Sequence, residues 1–210
     1  MSTRVKICGL TNPADRDLAI DAGADALGFI SQVPVETPRE LPLAAVKKLA
    51  SAVPPFVTTV LVTAPESISE AVSSHERTQT DAVQIHGSLS PEELEELRAH
   101  VDAAIIVAVD VTSPDSTLSA YAASADALLV DSATMGGTGK THDWERARAL
   151  RARFETPLIL AGGLTPENVA EGIKQVSPFA VDVATGVERD GGKKEPEAVR
   201  TFISRAEVSG

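Results

Sequence analysis

The chain has 210 residues, a formal net charge of −11 and a hydrophobic fraction of 43%, with only 3% aromatic residues. This length fits one large domain or two small ones, and the apolar content is enough to build an aliphatic core. The acid excess argues against a sequence-independent nucleic-acid surface and against binding to anionic membranes, because both need basic residues. The charge is compatible with a high-salt cytoplasm, where screening weakens self-repulsion, and equally with an ordinary acidic cytosolic protein.

Cysteine and histidine usage narrows the class further. Cys8 is the only cysteine, which excludes an intrachain disulfide and a metal site built from several cysteines. His75, His86, His100 and His142 have no metal-ligand spacing, and we predict His75 and His100 at solvated helix ends. No apolar run is long enough to span a membrane, and no signal region precedes the first strand pattern. We therefore expect a soluble cytoplasmic protein, with no metal.

Short apolar runs alternate with amphipathic stretches from one end of the chain to the other. The predicted strands are Val5–Cys8, Ala26–Ile30, Phe56–Val62, Ala82–His86, Ala104–Val109, Ala127–Asp131, Leu158–Ala161 and Ala180–Ala184. The predicted helices are 13–22, 42–52, 66–75, 90–100, 114–123, 142–153, 165–175 and 195–207. Several helices open with a serine or threonine cap followed by proline, as at Ser90-Pro91 and Thr165-Pro166.

Eight strand–helix units at this spacing predict parallel strands joined by helical crossovers. The strands are almost continuously apolar, as expected when both faces of a sheet are covered. We predict an α/β fold, a compact (β/α)₈ TIM barrel that forms a single domain over residues 1–210. A doubly wound open sheet is the alternative.

Polar residues collect at the ends of the predicted strands, where a barrel of this type carries its active site. These strand-end residues are Cys8, Gln84, His86, Asp131 and Asp182. Lys6 lies on the same strand face as Cys8, and its ammonium group is expected to lower the pKa of the thiol. The alternative is that Cys8 is only a small buried hydrophobic residue.

The loops after strands 7 and 8 are the usual phosphate site of this fold. Gly162 and Gly163 permit a close backbone approach to an anion, and Thr185 and Gly186 add a hydroxyl and further amides. The alternative for the glycine pair is a tight turn before a helix. The two loops together predict phosphate binding.

Residues 135–141 look like a nucleotide-binding loop, but the pattern fails because Thr134 stands where a glycine is required. We interpret residues 132–141 as a glycine-rich lid over the substrate, with Lys140 solvated. A second long loop, Ser31 to Leu41, carries Arg39, whose guanidinium group suits a substrate carboxylate. The alternative for Arg39 is an ordinary surface arginine.

These motifs, in this order, resemble the phosphoribosylanthranilate isomerase family of tryptophan biosynthesis, from strand 1 to strand 8. The segments that carry the resemblance are Lys6-Ile-Cys-Gly-Leu-Thr11, Asp25-Ala-Leu-Gly-Phe29, Pro38-Arg39, Val83-Gln-Ile-His-Gly87, Leu129-Val-Asp-Ser132, Gly136-Gly-Thr-Gly-Lys140, Asp143-Trp144, Leu160-Ala-Gly-Gly-Leu-Thr-Pro-Glu-Asn168 and Asp182-Val-Ala-Thr-Gly-Val-Glu188. The resemblance implies a (β/α)₈ aldose–ketose isomerase that works without metal or organic cofactor, as a monomer or homodimer.

The resemblance also implies roles for single residues. Asp131 would act as general acid on the ribose ring oxygen of a phosphorylated sugar substrate, and Cys8 as general base at C2. Arg39 would hold the anthranilate carboxylate, and the two glycine-containing loops the phosphate. The loop after strand 2 lacks the aromatic and serine residues usual in the family, and Ala184 stands where serine is common.

Two other functions stay open on the sequence. The histidine-pathway isomerase performs the same rearrangement on the same fold, but it resembles an enzyme with two aspartates, whereas strand 1 here offers Cys8. A phosphate-binding barrel without catalysis is the alternative from another class, since fold does not determine function.

Overall fold

Strands and helices alternate along the described part of the chain, which in this computed structural model comprises residues 3–87, 89–131 and 144–209. The barrel strands β1 to β8 are Arg4–Ile7, Ala26–Ile30, Thr58–Thr63, Ala82–Ile85, Ala104–Asp110, Ala127–Asp131, Leu158–Ala161 and Ala180–Val183. The helices α1 to α8 are Pro13–Asp21, Leu43–Ala50, Ile68–Thr78, Pro91–Arg98, Asp115–Ser124, Trp144–Arg153, Val169–Val176 and Pro196–Ser209. Within these ranges no helix is both long and apolar enough to cross a membrane.

The eight strands are parallel and form a closed barrel in chain order. Closure comes from β1, which pairs with β2 on one side and with β8 on the other, so that Lys6 lies opposite Asp182. The prediction of a (β/α)₈ barrel is confirmed. The open doubly wound sheet is wrong, because its outer strands would each keep an unpaired edge.

Side-chain alternation along the strands creates two apolar layers. The inner layer fills the barrel with mostly small and branched residues, including Cys8, Val60, Leu129 and Ala180. The outer layer is larger and lies between strands and helices, where Leu and Phe side chains such as Phe202 are fully buried. Each such side chain contributes roughly 1.5–3 kcal/mol by leaving water. Covering both faces explains why the strands lack a polar repeat.

Several predicted boundaries differ from the structure. The strand predicted from Phe56 begins at Thr58, because Phe56 has φ +74° and is fully exposed. Helix α7 begins at Val169 rather than at 165, and the start predicted at 142 for α6 lies outside the described residues. His75 lies in the last turn of α3, as predicted, but the residue is only 8% exposed, so the prediction that it is solvated is wrong.

A short antiparallel ribbon follows β8 and was not predicted. After a 3₁₀ turn at Thr185–Val187, Glu188–Asp190 (β9) pairs with Lys193–Lys194 (β10). The register places Lys194 opposite Glu188. The intervening turn uses Gly191 and Gly192, whose φ values of +47° and +86° favour glycine.

Candidate active site

A cavity of about 780 Å³ opens at the carboxyl ends of the barrel strands. Nine of the eleven predicted site residues line it: Cys8, Gln84, His86, Asp131, Gly162, Gly163, Asp182, Thr185 and Gly186. The other two contact its walls, since Lys6 binds Asp182 and Arg39 binds Thr185. The structure therefore brings together residues from strands 1, 4, 6, 7 and 8, as the strand-end pattern predicts.

Lys6 and Asp182 form an ion pair inside the barrel, which we call the neutral pair. The Lys6 Nζ atom donates a hydrogen bond to Asp182 Oδ1 at 2.9 Å, and both residues are buried. The pair exists because β1 and β8 are neighbours with these two residues in register. Each charge is compensated by the other, as a buried charge requires.

Gly28 makes room for this arrangement, and sequence reasoning did not identify it as a site residue. A Cβ atom at Gly28 would lie 2.7 Å from Cys8 Sγ and 3.1 Å from Lys6 Cε. Any larger residue would push the thiol out of place. The available signal was the glycine in the middle of an otherwise apolar strand, which often marks a close approach.

The expected direction of the Cys8 pKa shift is wrong. Burial is the largest influence and raises the pKa of the Cys8 thiol. The ammonium groups of Lys6 and Lys194 lower it but do not outweigh burial, and the Asp182 carboxylate raises it further. Lys6 itself stays charged: burial disfavours its ammonium, but Asp182 outweighs that effect and raises the pKa of Lys6. The thiol is therefore protonated at neutral pH in the unliganded protein.

Gln84 and His86 form the opposite wall. The Gln84 Nε2 and His86 Nε2 atoms are 2.5 Å apart, and among the described residues Gln84 Oε1 has no hydrogen-bond partner although it is buried. Burial and the nearby Lys6 charge lower the pKa of His86, so its imidazole is neutral at neutral pH. An unpaired buried carbonyl is costly, which makes Gln84 a natural acceptor for a ligand hydroxyl.

The loops after β7 and β8 meet at one edge of the cavity. Gly162 and Gly163 have φ values of +84° and +64°, which side-chain-bearing residues rarely adopt. A Cβ atom at Gly186 would lie 1.9 Å from the Leu164 carbonyl oxygen. Backbone conformation or close packing therefore requires glycine at all three positions. Their use as a phosphate site stays a prediction.

Arg39 is held by Glu188 of the ribbon, which sequence reasoning missed as a site residue and which also binds Lys194. Its Nε and Nη2 atoms donate to Glu188 Oε1 and Oε2 at 2.9 and 2.5 Å. Lys194 Nζ donates to the same Glu188 Oε1 at 2.6 Å. We call Arg39, Glu188 and Lys194 the cationic cluster. Arg39 is thus fixed beside the cavity by a buried carboxylate, and its use as a carboxylate-binding residue stays a prediction.

The remaining predictions concern the segment after β6, which lies outside the described residues, and Asp131 at the end of that strand. The predicted lid at 132–141, Lys140 and His142 lie outside the described residues. Asp131 ends β6 and is partly buried, in register with Asp110 and Ala161. It lines the same cavity as Cys8, so an acidic group and a thiol face one volume.

Comparison with known proteins agrees with this geometry. The family model described as N-(5'-phosphoribosyl)anthranilate (PRA) isomerase matches residues 5–205. The N-(5'-phosphoribosyl)anthranilate isomerase of Haloarcula marismortui is 51% identical, over 97% of this chain and 96% of its own length. The crystal structure of the Thermotoga maritima phosphoribosyl anthranilate isomerase has a TM-score of 0.85 and 35% identity, covering 98% of this chain and 99% of that one.

A second similar solved structure contains a bound ligand. It is a phosphoribosyl anthranilate isomerase in complex with reduced 1-(o-carboxyphenylamino)-1-deoxyribulose 5-phosphate, with 33% identity and a TM-score of 0.83. It covers 98% of this chain, and 99% of that chain is covered in return. With a family model matching nearly its whole length and a relative above half identity, this chain belongs to the N-(5'-phosphoribosyl)anthranilate isomerase family.

Proposed function

We propose that this chain converts N-(5-phosphoribosyl)anthranilate into 1-(2-carboxyphenylamino)-1-deoxyribulose 5-phosphate, an aldose–ketose isomerisation of tryptophan biosynthesis. The observation that carries the proposal is that Cys8 and Asp131, at the ends of β1 and β6, line one cavity. Membership of the isomerase family supports the same reaction. The rearrangement needs one acid and one base, and this pair supplies both.

Asp131 begins the reaction by protonating the ribose ring oxygen. The C1–O bond breaks, the ring opens, and the nitrogen lone pair forms a C1=N iminium cation. That cation acidifies the proton on C2, which Cys8 removes to give an enolamine. The enolamine then loses its enol O–H proton to the Asp131 carboxylate and gains at C1 the proton held by Cys8, which yields the ketone and regenerates both groups. Each proton transfer at a positioned side chain is worth a factor of roughly 10² to 10⁴.

The raised pKa of Cys8 is compatible with this role. A thiol that is protonated before substrate binds does not react with other electrophiles, because the thiolate is the reactive species. The iminium cation forms beside the thiol and favours its ionised form, as any nearby opposite charge does. The thiol then loses its proton to water, and the resulting thiolate removes the C2 proton.

The substrate's two anionic groups suit the two sides of the cavity. Gly162, Gly163, Thr185 and Gly186 lie where the backbone after β7 approaches the turn after β8, and we assign the phosphate to them. Arg39 is assigned to the anthranilate carboxylate, which a guanidinium group binds well. The ring between them faces an apolar wall of Val33, Pro34 and Val35, in the loop that lacks the usual aromatic residue.

We further propose that residues 1–210 form one domain that acts in the cytoplasm, as a monomer or homodimer. The net charge of −11 and the similarity to a haloarchaeal relative support stabilisation by salt. Screening by molar potassium chloride should weaken repulsion among surface acids and raise the midpoint of thermal unfolding. An unchanged or lower midpoint across a potassium chloride series would reject salt adaptation.

Turnover of freshly generated N-(5-phosphoribosyl)anthranilate tests the reaction, followed as loss of anthranilate-type fluorescence at low and molar salt. Rapid turnover is expected. Absence of turnover by folded protein at both salt concentrations would overturn the proposal. The histidine-pathway substrate is the control for the alternative isomerase; because β1 presents Cys8 and not an aspartate, we expect it to be a poor substrate.

A further inference from the structure

The cationic cluster contains a buried lysine, Lys194, in addition to the arginine that is assigned to the substrate carboxylate. The Lys194 side chain is fully buried, that of Glu188 is 5% exposed and that of Arg39 is 20% exposed. Beyond Glu188, the Lys194 ammonium group contacts the Ala184 carbonyl oxygen at 3.1 Å. Taking a lysine out of water is expensive, so its place in this cluster calls for a reason.

Charge balance supplies one reason. A guanidinium group bound bidentately to a carboxylate forms a neutral unit, and a neutral unit has little attraction for a second carboxylate. Lys194 adds a second cation, so the cluster of two cations and one anion keeps a net charge of +1. A ligand carboxylate that joined the cluster would bring it to neutrality.

Geometry supplies the second reason. Glu188 occupies Nε and one side of Nη2 of Arg39, which leaves the Nη1–Nη2 end of the guanidinium group directed at Thr37 and Thr185. Those contacts are long, at 3.3 Å each, and both threonines line the cavity. The end of Arg39 that remains for a ligand is therefore the end beside the cavity.

The stem of Arg39 is confined by two backbones. A Cβ atom at Gly9 would lie 2.7 Å from Arg39 Cδ, and one at Gly192 would lie 3.1 Å from Arg39 Cγ. The ribbon thus encloses Arg39 from one side while Glu188 fixes the orientation of its guanidinium plane. A guanidinium group that is held in place loses less entropy when a ligand binds.

We propose that Glu188 and Lys194 are positioning residues for the ring carboxylate of the substrate: Glu188 orients Arg39, and Lys194 preserves the positive charge that attracts the carboxylate. This inference rests on the proposed function and goes beyond it, because neither residue needs to touch the substrate. It predicts that both residues act chiefly on recognition of the ring carboxylate. The Lys194 charge also lowers the pKa of Cys8, so its removal raises that pKa further.

The test compares two ligands across matched variants. The first ligand is reduced 1-(o-carboxyphenylamino)-1-deoxyribulose 5-phosphate, and the second is the same molecule without the ring carboxylate. Lys194→Met should weaken binding of the first ligand roughly 10- to 100-fold, because a positive charge near the ligand carboxylate is lost, and leave binding of the second within about twofold. Lys193→Met, which changes the exposed neighbour, is the control and should bind both like wild type.

A double variant separates charge from folding. Lys194→Met leaves Glu188 buried with one cationic partner fewer, so folding is checked by circular dichroism. Glu188→Gln with Lys194→Met removes one charge of each sign and returns the cluster to +1. The double variant should regain part of the affinity for the carboxylate ligand that Lys194→Met loses. Failure to regain any of it would overturn the charge role of Lys194.

Steady-state kinetics complete the test. In Lys194→Met, KM should rise by more than kcat falls, because binding is lost in ground and transition states alike, whereas kcat falls only through the raised pKa of Cys8. Equal weakening of both ligands, or a fall in kcat alone, would overturn the inference and indicate a structural role. Wild-type protein that neither turns over the substrate nor binds either ligand would instead remove the proposed function itself.

Discussion

The two ion clusters of the site are both built from a buried lysine and a carboxylate, but they differ in net charge. The neutral pair, Lys6 and Asp182, lies inside the barrel and balances its own charge. The cationic cluster lies at the mouth and keeps a net positive charge because two cations share Glu188. The comparison teaches that a buried lysine is not by itself an anion site. The number of carboxylates bound to it decides whether any attraction is left for a ligand.

The largest expected effect lies beside the neutral pair. Cys8→Ser should lower kcat by roughly 10² to 10⁴ with little change in KM, because a serine hydroxyl ionises far less readily than a thiol and so supplies almost no anionic base. Steady-state turnover of the phosphoribosylanthranilate measures this. Asp131→Asn is expected to behave similarly, in contrast to the KM effect of Lys194→Met. A Cys8→Ser enzyme with near-wild-type kcat would remove the base role.

Breaking the neutral pair from either side should move the Cys8 thiol in opposite directions. Asp182→Asn leaves the Lys6 charge unopposed, so the pKa of Cys8 should fall, whereas Lys6→Met should raise it further. The rate of thiol alkylation as a function of pH reports both shifts. Each single variant also leaves a buried charge, at a cost of about 3–5 kcal/mol, so unfolding is measured in parallel. Shifts of the same sign in both variants would refute the pair's control of the thiol.

At low pH, protonation of Glu188 should reduce the contribution of the cationic cluster to the stability of the fold. Burial opposes ionisation of this carboxyl, but hydrogen bonds from Arg39 and Lys194 outweigh it and lower the pKa of Glu188. A lowered carboxyl pKa stabilises the fold fully above the ordinary glutamate value of about 4.3, and that stabilisation is lost as pH falls through the folded-state value.

The unfolding free energies of wild type and Glu188→Gln, measured by denaturant titration from pH 7 to pH 3, check this. The difference between them should shrink as the pH falls below about 4. A difference in unfolding free energy that grows on acidification would show that the pKa of Glu188 is not lowered by folding. Glu195→Gln, which changes another acid near the ribbon, is a suitable control because no pair with Arg39 depends on it.

The smallest effect is expected at the amino end of the barrel, far from both clusters. Phe56 is fully exposed and has φ +74°, so its aromatic ring contributes little packing while its backbone is strained. Phe56→Gly should be more stable than Phe56→Ala by about 1 kcal/mol, because only glycine adopts this φ without cost. Thermal unfolding of the two variants measures the difference. If alanine were equally good, or if both variants lost stability in a concentration-dependent way, Phe56 would have a role beyond the isolated chain.

The sequence was informative wherever a local pattern decides the outcome. Aliphatic runs predict the strands because a barrel strand is covered on both faces, and Cys8 and Asp131 stand out as polar residues at the ends of such runs. Prediction from the sequence failed where the environment of a side chain is set by a residue far along the chain. Arg39 and Glu188 are separated by 149 positions, and the partner that cancels the effect of Lys6 on Cys8 is 176 positions along the chain. Lys193 and Lys194 look alike in sequence, yet only the second is buried.

Closure of the barrel by β1 and β8 has a consequence for synthesis on the ribosome. The chain emerges amino end first, so Lys6 cannot pair with Asp182, nor Arg39 with Glu188, until almost the whole chain has been made. A chain that stops before β8 leaves open strand edges that invite pairing with other chains. It also lacks the residues that complete both ion clusters. Premature termination should therefore yield no partially active isomerase, because the last sixth of the chain completes the site begun by the first.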